Sequence, residues 1–150
     1  MSDSPEILVL NGPNLNMLGV REPDIYGYET LADIEDLCND RARSLGLTID
    51  FRQSNFEGEL VTIIQKSRDT AAGIIINGAG YTHTSVAILD ALRISELPVI
   101  ELHLSNTHAR EAFRHKSYIA QAAAGIICGF GAHGYVLAID AMARLIECAD

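Results

Sequence analysis

Arg21 and Tyr26 stand five residues apart in the segment Asn11-Gly12-Pro13-Asn14-Leu15-Asn16-Met17-Leu18-Gly19-Val20-Arg21-Glu22-Pro23-Asp24-Ile25-Tyr26-Gly27. A phenol has a pKa of about 10. To act as a base at neutral pH it must first ionise, which costs roughly 4 kcal/mol without help. A neighbouring guanidinium favours the charged form and offsets part of that, and Arg21 can reach Tyr26 across a loop turn. His103 can give or take a proton near neutrality. Asn14 and Asn77 can donate to oxygens. The main-chain N–H groups of Leu104 and Ser105 precede a possible helix start, where a carboxylate binds well, and Arg114 can hold hydroxyls or a carboxylate. Together these groups suit proton abstraction beside a carbonyl, followed by loss of a protonated leaving group, with no cofactor required.

The elements that must position them follow from hydrophobic spacing. The first polar segment comes straight after an apolar strand candidate, Ile7 to Leu10. In alternating chains a helix usually starts within a few residues of such a strand. A long loop here, at the carboxyl end of a strand where parallel sheets hold ligands, reads as functional. Strands are predicted at Glu6–Leu10, Thr48–Gln53, Gly73–Asn77, Val99–Leu104 and Gly125–Cys128. Helices are predicted at about Leu31–Leu45 (capped by Thr30 with Asp33, stopped at Gly46), at Glu59–Asp69, from Thr84 to before Pro98, near Ala109–Arg114, and at His133–Cys148. The isoleucine run of the third strand reads as buried on both faces. The fold class is therefore α/β: a flavodoxin-like three-layer sandwich with a five-stranded parallel sheet in the order 2-1-3-4-5, and residues 1–150 form a single catalytic domain.

That order brings three polar clusters to one sheet edge: the first loop, Asn77 to Ser85, and Glu101 to Arg110. Each admits a blander reading by itself. Asn77 and its glycines suit a tight turn, Thr84 a helix cap, and His103 a hydrogen-bonded core histidine. Their convergence favours a site.

Composition narrows the partners. A net charge of −9 argues against nucleic acid and an anionic membrane surface, while Arg21, Arg110 and Arg114 leave local room for an anionic ligand. The cysteines are three, Cys38, Cys128 and Cys148, without a Cys-x-x-Cys pattern. They read as small hydrophobes in a reducing cytoplasm. The polar, acidic start predicts no export signal, and no apolar run approaches the roughly 18 residues a membrane span needs. The segment Gly129-Phe130-Gly131-Ala132-His133-Gly134 matches a dinucleotide fingerprint, but no later strand carries the ribose-binding acid, so its glycines read as close strand-to-helix packing. His103 and His108 do not share a helical face and have no acidic or Cys partner, so no metal is expected. A flavin-binding module would want a Ser/Thr/Gly-rich phosphate loop after the first strand. A receiver-type signalling domain would want an Asp where Asn77 ends the third strand.

The segments Asn11 to Gly27, Asn77 to Ser85 and Glu101 to Arg114, with Arg52-Gln53-Ser54-Asn55 and the late Gly-Phe-Gly-x-x-Gly-Tyr, resemble the type II 3-dehydroquinate dehydratases over nearly the whole chain. The resemblance implies a hydro-lyase that converts 3-dehydroquinate to 3-dehydroshikimate without metal or cofactor. It implies Tyr26 as base, Arg21 as its electrostatic helper, His103 as the acid for the departing hydroxyl, and Asn14 at the enolate. It further implies that Asn77 and the backbone of Leu104 and Ser105 hold the substrate carboxylate, and that His83 and Arg114 hold ring hydroxyls. Asp90 matches a residue that reaches into a neighbouring subunit's site in a homododecamer built from trimers. Three positions depart from the family pattern: Phe56 where His is more usual, Gly78 where Pro or Ala is, and Gln121 where Pro is. They bear on packing and affinity, Phe56 at a subunit contact and Gly78 in the carboxylate turn.

Overall fold

The computed structural model describes residues 4–20, 22–26 and 28–148. Among them, one all-parallel sheet runs β2-β1-β3-β4-β5, with β1 Glu6–Asn11, β2 Thr48–Gln53, β3 Gly73–Asn77, β4 Val99–His103 and β5 Gly125–Cys128. This is the expected fold class and strand order. The central strands β3 and β4 are buried at every residue, as continuous apolar runs demand when helices cover both faces. Side chains alternate between two cores. Val9, Ile75 and Leu102 face α2 (Leu31–Ser44) and α5 (His133–Cys148). Leu8, Leu10, Ile74 and Ile76 face α3 (Glu57–Ser67), α4 (Val86–Ser95) and the buried Ile119.

Helix α2 begins in a reciprocal capping box: Thr30 Oγ1 accepts from Asp33 N at 3.2 Å and Asp33 Oδ2 accepts from Thr30 N at 3.0 Å. It stops at Gly46, whose φ of +74° is easy only for glycine. Helix α4 starts later than the sequence predicts. A 3-10 helix spans Ala79–His83, and Ser85 rather than Thr84 caps α4, its Oγ accepting from Ile88 N at 3.0 Å. The helix expected near Ala109–Arg114 is instead two 3-10 pieces, Thr107–Ala109 and Ala112–His115. Asn106 Oδ1 takes His108 N at 3.2 Å, and Arg110 is extended with ψ −164°, so one α-helix cannot run through.

The long first loop is not featureless. A 3-10 helix at Leu15–Met17 pins it, with Leu15 and Leu18 buried in the α2/α5 core, and a short helix α1 covers Pro23–Tyr26. None of the helices among the described residues is long and apolar enough to cross a membrane.

Strands β1, β3 and β4 end in Asn11, Asn77 and His103. Asn11 and Asn77 are register partners, and beyond them Gly12 N donates to Asn77 O at 2.8 Å. A Cβ added to Gly12 would lie 2.6 Å from the Gly78 carbonyl oxygen. That neighbour is main chain and cannot swing aside. Gly12→Ala should therefore destabilise the fold by about 1–3 kcal/mol and lower activity, because the turn it displaces carries Asn77. Urea unfolding with a midpoint unchanged from wild type would show that the two turns separate freely.

Candidate active site

At the carboxyl edge of the sheet lies a cavity of about 240 Å3. It brings together Asn14, Asn77, His83, His103, Leu104, Ser105 and Arg114, and adds Arg110 and Thr107. Each comes from a strand end or the turn after it, which is where a parallel sheet gathers loops.

Asn14 sits in the left-handed region at φ +71°, a conformation asparagine tolerates better than most residues. Its N–H donates to Asn55 Oδ1 at 3.0 Å, and Gln53 Nε2 donates to Gly12 O and to Asn55 Oδ1, each at 3.2 Å. The Arg52-Gln53-Ser54-Asn55 motif thus holds the first loop in place from the end of β2. The Asn77 amide is fixed at both ends: its Oδ1 accepts from Ala79 N at 3.2 Å and its Nδ2 donates to the Tyr135 hydroxyl at 3.3 Å.

His103 Nε2 donates to Glu101 Oε2 at 2.5 Å, and Ser117 Oγ donates to Glu101 Oε1 at 2.7 Å. Glu101 is 2% exposed and His103 6%. The two side chains thus form a buried, directly hydrogen-bonded carboxylate–imidazole pair. With Nε2 engaged, Nδ1 is the ring atom through which His103 can exchange a proton with a ligand. Sequence reasoning assigned no role to Glu101, and its one signal was the two-residue strand period that puts it on the same face as His103. Ser117 lies on a distant segment and gave none.

The rings of His83 and His103 stack, 6.3 Å between centroids and 18° apart. His83 Nδ1 donates to the Lys116 carbonyl at 2.7 Å, which leaves Nε2 of the neutral ring as an acceptor suited to a hydroxyl. Burial holds the His83 ring below the ordinary histidine pKa; the Lys116 carbonyl opposes this, His103 and Arg114 add to it, and Glu101 opposes it.

Two guanidinium groups give the cavity local positive charge. Arg114 Nε donates to Glu111 Oε1 at 3.1 Å and Arg110 Nη1 donates to Ser105 Oγ at 3.1 Å. The sequence named Arg110 only as local positive charge, and the structure places it in the cavity wall. Arg21 lies outside the described residues. Tyr26 closes α1, but its side chain lies outside them too. Asp90 is exposed on α4 and does not line this cavity.

A family model described as "Dehydroquinase class II" matches residues 5–143. The chain belongs to the class II dehydroquinase family. It is 60% identical over 139 residues to a 3-dehydroquinate dehydratase of Methylobacterium radiotolerans, covering 93% of each chain. To 3-dehydroquinate dehydratase 2 of Pseudomonas putida it is 59% identical, covering 95% of this chain and 96% of that one. The crystal structure of the type II dehydroquinase from Butyrivibrio crossotus superposes with a TM-score of 0.90 at 42% identity, over 93% of this chain and 97% of that one. The likeness to that structure extends to the flavodoxin-like sheet. The chain is thus an enzyme of the hydro-lyase class that its motifs implied, and these matches support 3-dehydroquinate dehydratase activity.

The position of His83 generates a pH prediction. Its folded pKa is lowered, so between the folded value and the ordinary 6.5 the unfolded chain binds the proton more readily. The neutral ring's contribution to stability is present above 6.5 and is lost as pH falls from there through the folded value. An NMR titration of the ring C–H signals should give a midpoint below 6.5. A midpoint above it would mean that Glu101 and the Lys116 carbonyl outweigh burial.

Proposed function

We propose that this enzyme dehydrates 3-dehydroquinate to 3-dehydroshikimate by an elimination in which Tyr26 is the base and His103 the acid. The observation that carries the reading is the buried Glu101–His103 pair opening on a cavity that also holds the Asn77 amide and two arginines. In this scheme Tyr26, ionised beside Arg21, takes the proton from the carbon next to the ketone. The C–H electron pair becomes the enolate, whose oxygen Asn14 stabilises directly or through a water. The enolate collapses to the conjugated ketone as the C–O bond to the hydroxyl breaks, and His103 gives that oxygen its proton, releasing water. The proton gained by Tyr26 and the one lost by His103 balance when solvent resets the pair.

The substrate carboxylate sits against Asn77 and the N–H groups of Leu104 and Ser105, with ring hydroxyls on His83 and Arg114. Arg110 adds positive charge on the same side of the cavity. We assign the reaction to the cytoplasm, in the shikimate pathway or in quinate breakdown. The buried Cys38 thiol, pushed up to about 12 by burial and then by Glu35, behaves as an inert hydrophobe there. The active form in this reading is a homododecamer of trimers in which Asp90 completes a neighbour's site, with no metal, nucleic acid or membrane involved.

Ultraviolet absorbance of the enone formed from 3-dehydroquinate tests the reaction, and absence of that signal from folded protein would refute it. Tyr26→Phe should lower kcat by roughly a hundredfold or more with little change in stability. A variant that keeps a large part of wild-type kcat would remove Tyr26 from the base role. Mixing Asp90→Ala with Tyr26→Phe subunits should restore part of the activity, because mixed trimers contain sites intact at both positions. Strictly no recovery from a well-mixed assembly would confine the chemistry to one chain.

A further inference from the structure

The segment Gly129 to Tyr135 has no place in the reaction just described, yet it is built with care. Gly129 and Gly131 are left-handed at φ +96° and +59°. Their N–H groups donate to His103 O at 3.3 Å and to Leu104 O at 3.0 Å, tying the segment to the end of β4. A Cβ on Gly134 would meet Leu102 Cδ1 at 3.0 Å, so the first turn of α5 lies directly on the sheet. This close approach buries Tyr135 completely, at 0% exposure. Its hydroxyl arrives between the ends of β1 and β3.

The hydrogen bonds there have only one consistent direction. Asn11 Nδ2 donates to Arg52 O at 3.0 Å, so Asn11 turns its oxygen to Tyr135 and accepts from the hydroxyl at 2.6 Å. The hydroxyl has one proton, now used, and offers only lone pairs to Asn77. Burial pushes the phenol pKa up, so the group keeps that proton. Asn77 must therefore present Nδ2, as it does at 3.3 Å, while its Oδ1 accepts from Ala79 N. An inverted amide would set oxygen against lone pair at Tyr135 and N–H against N–H at Ala79. Held this way, Asn77 keeps its second amide proton for the cavity it lines.

We propose that Tyr135 is a positioning residue that locks the Asn77 amide as a hydrogen-bond donor, and so selects ligands that carry a carboxylate over neutral ones. The inference rests on the reading that Asn77 holds the substrate carboxylate.

The test uses the assembled enzyme, with quinate and quinate methyl ester as competitive ligands. Tyr135→Phe should raise KM for 3-dehydroquinate roughly five- to tenfold with kcat nearly unchanged. It should weaken quinate by the same factor and leave the ester as in wild type. In an Asn77→Ala background the same change should add nothing, because the amide it orients is gone. An unchanged KM in Tyr135→Phe, equal losses for acid and ester, or the full effect persisting without the Asn77 amide would each overturn the proposal. A KM unaffected by Asn77→Ala alone would refute the carboxylate reading itself, and the role of Tyr135 with it. If Tyr135→Phe does not fold, Asn11→Ala poses the same question. It frees the Tyr135 proton to turn to Asn77, so selective weakening of quinate supports the proposal and wild-type affinity for both ligands overturns it.

Discussion

A parallel sheet stops pairing at its carboxyl edge, and whatever lies there must satisfy the last polar groups of the strands or be hydrated. Here β1 and β3 end side by side in Asn11 and Asn77, and the side-chain amides carry the hydrogen bonding on where the ladder ends. Both residues are buried. An amide left without a partner in such a place costs about 1–3 kcal/mol, so the pair tolerates few arrangements. Gly12 lets the two turns above it touch through main chain alone. The cavity is therefore walled by groups whose positions are dictated by strand pairing two residues below.

The same economy of water governs the other wall. Glu101 and His103 are buried next to each other and hydrogen-bonded, with Ser117 on the second carboxylate oxygen. The chain as a whole carries −9, a field unfriendly to an acid. Beyond about 8 Å at physiological salt that field is screened. Arg110 and Arg114 line the cavity itself, so they set the local charge an anion meets there. Overall charge and site charge are thus separate properties.

Much of this was readable in the sequence because it is local. Strands β2, β3 and β5 and helix α5 have the bounds their periodicity and flanking glycines predict, and the Thr30–Asp33 box works as written. Clustering of Asn14, Asn77, His83, His103 and Arg114 follows once strand order is known. What escaped depends on contacts far apart in the chain. Tyr135 meets Asn11 across 124 positions and Ser117 meets Glu101 across 16, and no period in the sequence records either. Helix α3 starts at Glu57, two residues before the Glu59 expected, with no side-chain cap, while at two other starts a side chain competes with main chain. Ser85 and Asn106 each capture an N–H and so redraw the boundary that propensity alone would set.

The stretch from Arg114 to Ala120 shows why a segment lacking a long helix can still be rigid. Its Lys116 carbonyl holds His83, its Ser117 hydroxyl holds Glu101, and its Tyr118 N–H donates to Thr82 O at 2.9 Å. One short brace therefore fixes the turn after β3 and the end of β4 together. A continuous α-helix would have spent the Lys116 carbonyl and the Tyr118 N–H on itself. The brace also accounts for Gly78. Gly78 has an ordinary helical φ of −75°, so its backbone does not require glycine. The space a Cβ would take is filled instead by Ile119 Cδ1, at 2.5 Å, and Thr82 Oγ1, at 2.7 Å. Because Ile119 is also part of the core beneath β3, the missing methyl lets the brace settle closer to the strand end. The turn is therefore packed from outside by the brace.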